Sequence, residues 1–420
     1  MKLFAPCCFA VAVVLSACQA LTEPPRSTLL FAKVPTAPTI TMTDLGTLGP
    51  GPGFCLFPSS QALDVNERGL VVGWSDSACT VMRGFVWDNG TMTSLGTFGP
   101  VAVNNHDQMA GNRFTAAFVT VAMLWQDGIL TDLGTLGGDR SEARALNESG
   151  QVIGSSATAT GATHAFSWHG GMMTDIGTLG GPSSLAIAVN KVGQVVGNSV
   201  TATGAIHAFL WQDGTLTDLG TLGGDQSQVG AMNDRGQIVG GSRTATGETH
   251  AFLWQSGAMT DLGTLGGPSS RAHAVNRRGQ IAGLSSTPTG ETHVFLWEDG
   301  VMTDLGNPKG GGGFFVGSLK LNDHGQVVGT IRAIASLPGG FCYLWQAGAA
   351  INLPANPAGE SVALNNHDQV VGWVLIGAGP VRHAALWTIG EPDEQGEQVA
   401  AGPRDALDSA VVNSRAGGGA

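Results

Sequence analysis

The sequence is poor in charged residues, in tyrosine and in cysteine. Only 12% of its 420 residues are charged, the net charge is -12 at pH 7, and there are one tyrosine and six cysteines. Binding to nucleic acid needs a basic face that contacts phosphates, and no such face is visible. We therefore expect no nucleic-acid partner. Part of the negative charge lies in the last segment, residues 391–420, which is also rich in Gly and Ala and is predicted to be a disordered tail.

The apolar run near the start is too short to cross a bilayer as a helix. It lies within MKLFAPCCFAVAVVLSACQA, where one Lys precedes it and small residues end it, as in a secretory signal. The tetrad Leu15-Ser16-Ala17-Cys18 resembles a bacterial lipobox. That resemblance implies a signal peptide at residues 1–17 and a lipid on Cys18, which would anchor the protein to a membrane. Cleavage by an ordinary signal peptidase is the alternative.

The rest of the chain divides into a tether and one repeated region. Residues 18–40 contain four prolines and are predicted to form a flexible tether, and residues 41–390 hold the repeats. We expect an exported protein, an outer-membrane or cell-surface lipoprotein or otherwise a secreted one. It is predicted to be a monomer without a cofactor.

The repeat has a period of about 43 residues. A Trp marks each of eight copies, as does an Asn before a tight turn. The Trp marks are Trp87, Trp125, Trp168, Trp211, Trp254, Trp297, Trp345 and Trp387. The Asn marks are Asn66, Asn104, Asn147, Asn190, Asn233, Asn276, Asn322 and Asn365.

Each copy predicts four short strands. The first, as in Ala186 to Asn190, ends in Asn-x-x-Gly, whose Gly can adopt the left-handed conformation of a hairpin. Asp107 and Asp368 replace that Gly in two copies, and Asp tolerates the same conformation. The second and third strands are GQVVGxS and HAFLW, and an Asp-Gly or Asn-Gly hairpin leads to the fourth, MTDLG.

Four strands per copy predict an all-β fold, an eight-bladed β-propeller. A stray copy of the fourth strand, residues 41–46, precedes the first repeat, and the last repeat has no such strand of its own. We therefore predict that the N-terminal strand completes the last blade and closes the ring. An open β-solenoid is the rival, but it does not explain the permuted ends.

The repeated region resembles a bacterial extracellular repeat family named after its His-Ala-Phe tripeptide. HAF itself stands at residues 164–166, 207–209 and 250–252, and the resemblance covers residues 41–387. It implies a repeat fold and an exported location. It implies no activity.

A His recurs four positions before the Trp in five copies: His164, His207, His250, His293 and His383. Five imidazoles spread around a ring lie too far apart to share one metal ion, so no metal site is predicted. We expect each His to make a structural bond within its own blade. The loop Thr residues or the Asp of TDLG are the candidate acceptors.

Function is expected where the repeat is broken. The predicted binding rim carries two enlarged crossings between blades, Pro50 to Ser60 and Asn307 to Ser318. Its candidate binding residues are Phe54, Phe57, Lys309, Phe314 and Phe315.

Three cysteines remain after removal of the signal, in a compartment that permits disulfides. Cys55 and Cys79 fall on the predicted binding rim and are predicted to pair with each other. Cys342 lies inside a strand and is predicted to be a buried free thiol.

Three functions remain open from the sequence. The first is a non-enzymatic surface scaffold that binds a protein or a glycan. The second is a glycan-active lyase or hydrolase on a propeller, although no set of acids, His or nucleophiles stands out from the repeat. The third is a purely structural surface protein.

Overall fold

The computed structural model describes residues 38–49, 58–76, 82–114, 119–308, 314–333, 340–355, 358–377 and 381–390. Every regular element in these ranges is a β-strand. Within the same ranges no helix has the length and apolar character needed to cross a membrane.

The strands form eight successive antiparallel units of four strands each. The first strand in the chain, β1 (Thr39–Gly46), belongs to the last unit. Unit 1 contains β2 (Ser60–Val65), β3 (Val71–Asp76), β4 (Met82–Asp88) and β5 (Thr91–Ser94). Unit 2 contains β6 (Phe98–Val103), β7 (Met109–Phe114), β8 (Thr120–Gln126) and β9 (Ile129–Asp132). Unit 3 contains β10 (Gly137–Leu146), β11 (Val152–Thr158), β12 (Thr163–His169) and β13 (Met172–Gly177). Unit 4 contains β14 (Gly180–Val189), β15 (Val195–Thr201), β16 (Ile206–Gln212) and β17 (Thr215–Asp218).

The second half repeats the pattern. Unit 5 contains β18 (Gly223–Met232), β19 (Ile238–Thr244), β20 (Thr249–Gln255) and β21 (Ala258–Asp261). Unit 6 contains β22 (Ser270–Val275), β23 (Ile281–Ser286), β24 (Thr292–Glu298) and β25 (Val301–Gly306). Unit 7 contains β26 (Phe314–Leu321), β27 (Val327–Ala333), β28 (Phe341–Gln346) and β29 (Ala349–Asn352). Unit 8 contains β30 (Gly359–Leu364), β31 (Gln369–Ile376) and β32 (Val381–Gly390), and β1 pairs with β32. A parallel bridge between Thr163 and Ser183 joins units 3 and 4 into one eight-stranded sheet. The four-stranded repeat predicted from the sequence is confirmed.

The two kinds of hairpin form where the sequence predicts them. The backbone of Asn190 pairs with that of Gln194, and Gly193 adopts a φ of 90°. Asp107 and Asp368, which replace this Gly, also take positive φ, at 58° and 60°. Among the Asp-Gly turns, Asp213 has a φ of 51° and is followed by a glycine that also has positive φ. Both turn predictions are confirmed.

The hydrophobic core lies between neighbouring units. Consecutive residues Ala208, Phe209 and Leu210 of β16 are all buried, because each sheet is covered on both faces. Phe209 packs in one cluster with Ile153 of unit 3. The repeat Trp is buried in units 3, 7 and 8 and partly buried in the other five. The fully buried ring in most units is therefore the Phe of the HAF motif.

The first strands of successive units contact one another, and β30 of unit 8 contacts β2 of unit 1. The side chains of seven of the eight turn Asn residues reinforce these contacts, since their Nδ2 atoms donate to the backbone oxygen of the turn Asn in the next unit. Seven such bonds run from Asn66 to Asn104 (3.0 Å), Asn104 to Asn147 (3.0 Å), Asn147 to Asn190 (2.9 Å), Asn233 to Asn276 (2.8 Å), Asn276 to Asn322 (2.9 Å), Asn322 to Asn365 (3.3 Å) and Asn365 to Asn66 (2.9 Å).

Candidate functional site

The recurring His is bonded to the Asp of TDLG in the same unit, one of the two acceptors that the sequence suggests. In each case Nδ1 donates to the carboxylate. The pairs are His164–Asp175 (2.9 Å), His207–Asp218 (2.8 Å), His250–Asp261 (2.8 Å), His293–Asp304 (2.9 Å) and His383–Asp44 (2.9 Å). The last pair joins residues at opposite ends of the repeated region.

The same Asp also accepts a backbone hydrogen bond from the Gly two residues after it. Asp218 Oδ1 accepts the backbone N–H of Gly220 at 2.8 Å, and Asp44 accepts that of Gly46 at 2.8 Å. Burial disfavours the charge of Asp44, but the hydrogen bonds from His383 and Gly46 outweigh this effect and lower its pKa. The His–Asp pair is thus part of the structural frame of these five units. No group of three or more potential metal ligands occurs in the described part of the chain.

Most of the residues predicted to form the binding rim lie outside the described residues. These are Phe54, Phe57 and Lys309, together with the predicted disulfide of Cys55 and Cys79 and the predicted lipid attachment site Cys18. The backbones of Phe314 and Phe315 begin β26. Cys342 is a buried free thiol, as predicted, and burial raises its pKa to about 12.

A hydroxyl joins most neighbouring units. The Ala of the HAF motif, or the residue at its position, donates its backbone N–H to a Ser at the start of the next unit's first strand. These bonds are Ala122–Ser141 (3.0 Å), Ala165–Ser184 (2.8 Å), Ala208–Ser227 (3.0 Å), Ala251–Ser270 (2.8 Å) and Ala384–Ser60 (2.7 Å).

The junction between units 1 and 2 has no Ser to accept this bond. Gly84 stands at the Ala position and Phe98 at the Ser position. A Cβ at Gly84 would lie 1.8 Å from the backbone oxygen of Phe98, so only glycine allows the two strands to approach this closely. Arg83 and Ser94 stand where other units have His and Asp. This junction therefore departs from the repeat at several neighbouring positions.

A cleft of about 140 Å³ opens at this junction. Its surface is predominantly apolar, because Trp74 is only partly buried and Met82 is 53% exposed. The side chains that form most of its wall are Leu63, Trp74, Met82, Arg83, Pro100 and Val101. A concave apolar surface with few polar groups is the usual form of a ligand site, and the cleft is our candidate functional site.

A second, polar cavity of about 230 Å³ lies among the Asn turns of units 4 to 8. Many of its polar groups are already bonded to protein. Asn233 Nδ2 donates to Gln237 and Asn276, and Asp234 accepts the backbone N–H of Lys191 at 3.1 Å. The groups that line this cavity mainly hold neighbouring units together, so it is the weaker candidate.

Sequence reasoning missed the ionisable residues on the first strands. Asp64 and Lys320 stand two positions before the turn Asn, where the other six units have Ala, and His273 stands three before it. Aligning the first strands alone would have revealed them. Burial raises the pKa of Asp64 to about 6, although two backbone N–H groups and Lys320 act in the opposite direction. Burial, assisted by Arg271 and Lys320, lowers the pKa of His273 to about 4.

Comparisons with known proteins return structural similarity alone. No protein-family model matches the sequence. No curated protein sequence matches it either.

The similar solved structures include the β-propeller domain of the trilobed protease from Pyrococcus furiosus, with 12% identity and a TM-score of 0.46 over 79% of this chain and 95% of that one. They also include the Pyrococcus horikoshii acylaminoacyl peptidase, with 12% identity and a TM-score of 0.45 over 77% of this chain and 58% of that one. TolB from Acinetobacter baumannii aligns with 12% identity and a TM-score of 0.38 over 65% of this chain and 76% of that one. Similarity at this level assigns no activity, ligand or partner to the chain.

Proposed function

We propose that the protein is an exported, lipid-anchored binding scaffold built as an eight-bladed β-propeller, each unit being one blade. In this proposal β1 closes the ring by completing the last blade. Support comes from the pairing of Thr39 to Gly46 with β32, the bond from Ala384 N to Ser60 Oγ and the bond from Asn365 Nδ2 to Asn66 O. The lipobox-like residues before Cys18 support the anchor.

The observation that carries the binding role is the apolar cleft between units 1 and 2. Repeat proteins use departures from their repeat for recognition, and here the His, Ala, Asp and Ser of the repeat are all replaced around one cleft. An apolar space of about 150 Å³ accepts one benzene-sized ring, so a cleft of about 140 Å³ suits one apolar side chain of a partner protein. Arg83 at its wall can pair with an acidic group beside that side chain.

The test is selection of ligands by the purified mature chain from a phage-displayed peptide library and, in parallel, a glycan array. We expect peptides with an apolar residue next to an acidic one, whose binding Met82→Ala weakens. Met172→Ala is the matched control, because Met172 is also exposed (69%) but lies outside the cleft.

Peptides that bind both variants equally well would place recognition elsewhere. Binding to glycans alone would replace the proposed protein partner with a carbohydrate. Turnover of common polysaccharides by the purified chain would contradict the scaffold and support the glycan-active enzyme.

A further inference from the structure

The first strands carry ionisable side chains where the repeat has small apolar ones. Position two before the turn Asn is Ala in units 2, 3, 4, 5, 6 and 8 but Asp64 in unit 1 and Lys320 in unit 7. Position three is His273 in unit 6 and Arg144 in unit 3, whereas the other units have Leu63, Val101, Ile187, Gly230, Leu319 and Val362. We call Asp64, His273 and Lys320 the central cluster.

His273 and Lys320 lie on neighbouring first strands, since β22 contacts β26 and Asn276 Nδ2 donates to Asn322 O at 2.9 Å shortly after them in the chain. Lys320 interacts electrostatically with both Asp64 and His273. Asp64 and Lys320 belong to units 1 and 7, and unit 8 stands between these units in the order of contacts β26, β30, β2. Asp64 and Lys320 hold the same position on first strands that one unit separates, so their interaction spans the first strand of unit 8.

His273 lies at a bulge in β22. The pairing of β22 with β23 shifts between Ala272 and Ala274, so His273 is the extra residue of the bulge. Bulges change the direction of a side chain relative to the regular alternation along a strand. The same shift occurs at the equivalent residue of six other units, so His273 holds the bulge position of the repeat.

In the described part of the chain, Asp64 is hydrogen-bonded to the backbone, whereas the donors of His273 and Lys320 are not used. Both oxygens of Asp64 accept backbone N–H groups, from Val65 at 3.0 Å and from Val103 at 2.9 Å. In contrast, neither the imidazole of His273 nor the ammonium of Lys320 has a hydrogen bond or ion pair with any residue that the structure describes. Asp64 thus ties unit 1 to unit 2, while a charged ammonium and a partly buried imidazole have no acceptor among the described residues.

We propose that His273 and Lys320 bind the oxygens of a small oxyanion, a carboxylate or phosphate group, in the space between the first strands. Lys320 is exposed, so a solute can reach its ammonium, which carries three donors and a full charge. The neutral imidazole of His273 supplies one further N–H. Arg271, which interacts electrostatically with His273 and donates to Gln228 at 2.8 Å, adds positive charge nearby. This site does not depend on the apolar cleft.

The lysines themselves provide the readout. Lys191 and Lys320 are the lysines in the described residues, and the sequence has only Lys2, Lys33 and Lys309 besides. Reductive ¹³C-methylation keeps their charge and gives few NMR signals, which Lys→Ala variants assign. The mature chain is titrated with sodium phosphate and, separately, sodium acetate at constant ionic strength. We expect a saturable shift of the Lys320 signal, whereas the Lys191 signal moves little.

Variants give the complementary measurement on unmodified protein by calorimetry. Lys320→Ala introduces the residue of six other units, and His273→Val introduces that of units 2 and 8, so both should keep the fold, as circular dichroism can verify. We expect each to weaken anion binding about tenfold or more, while Lys191→Ala binds as the wild type does. Equal, non-saturating shifts of Lys191 and Lys320 would overturn the proposal, as would unchanged binding in Lys320→Ala. Saturation at a lower concentration of phosphate than of acetate would indicate a phosphate ligand, and the reverse would indicate a carboxylate ligand.

Discussion

Among single residues, those that recur in most units serve the structure, and those that depart from the repeat carry the proposed functions. His207 and Asp218 pair with each other, as do their counterparts in four other units, and the Asp also accepts a backbone N–H. A pair that recurs in five of the eight units contributes to the shape of those units. The residues that carry the proposals, Met82 of the cleft and Lys320 of the central cluster, each occupy a position that most units fill differently.

The burial of the HAF strand predicts an order of stability losses. Phe209 is fully buried, so Phe209→Ala should lower the free energy of unfolding by about 3–5 kcal/mol through lost burial and a cavity. Trp211→Ala should cost less, because Trp211 is only partly buried. His207→Ala should cost about 1 kcal/mol or less, as the pair lies near the surface. Urea unfolding of the three variants measures this order, and a larger loss for His207→Ala than for Phe209→Ala would contradict it.

At the scale of elements, turn chemistry determines where strands begin and end. Asn-x-x-Gly and Asp-Gly supply the left-handed residues that short hairpins need, and Asp or Asn at a φ of 44–60° does the same. Beside β2 and β3 a different closure occurs. Ser59 and Asp76 are joined by three hydrogen bonds, from Ser59 N to Asp76 Oδ1 (2.7 Å), from Ser59 Oγ to Asp76 Oδ2 (2.7 Å) and from Asp76 N to Ser59 O (2.8 Å).

This closure supports the proposed disulfide between Cys55 and Cys79. Each cysteine is three or four residues from the joined pair Ser59 and Asp76, so the chain can bring the two sulfurs together. We expect about one free thiol per mature, denatured and unreduced chain in which Cys18 carries its lipid, namely that of Cys342. Reduction should raise the count by two. A count of three before reduction would rule the disulfide out.

At the scale of the whole molecule, the two ends of the repeated region depend on each other. Leu45 of β1 packs in one core cluster with Phe85 of unit 1 and Leu386 of unit 8. His383 donates to Asp44 across the same junction. Unit 8 therefore needs residues from near the N-terminus, and the last repeat cannot cover its own outer strand.

Removal of β1 should consequently affect more than one unit. A chain that lacks residues 38–46 loses the partner of β32 and exposes its edge, which promotes association between chains. We expect a lower thermal midpoint and concentration-dependent oligomers in light scattering. Adding a synthetic peptide of residues 38–46 should restore the monomer, whereas a peptide with Leu45→Asp should not. A truncated chain that stays monomeric and as stable as the intact one would contradict closure by β1.

The predicted membrane anchor can be tested on the whole chain. We expect Cys18→Ser to move the protein from the membrane fraction to the soluble fraction of its host, because a single unacylated polar residue cannot hold it there. Fractionation followed by immunoblotting measures this shift. A protein that stays soluble with Cys18 intact would instead indicate cleavage by an ordinary signal peptidase.

Local chemistry made much of this protein readable from its sequence. The period of the repeat, the four strands of each unit and both hairpin turns are set by residues close together in the chain, so the repeated pattern predicted them. The same pattern left the acceptor of the His open between the loop Thr residues and the Asp of TDLG. The tertiary structure alone decided which ring is most deeply buried, where the cleft opens and which ionisable residues meet. Phe209, Met82, Asp64 and Lys320 owe their surroundings to other units, and the distance between units along the chain conceals those contacts until the first strands come together.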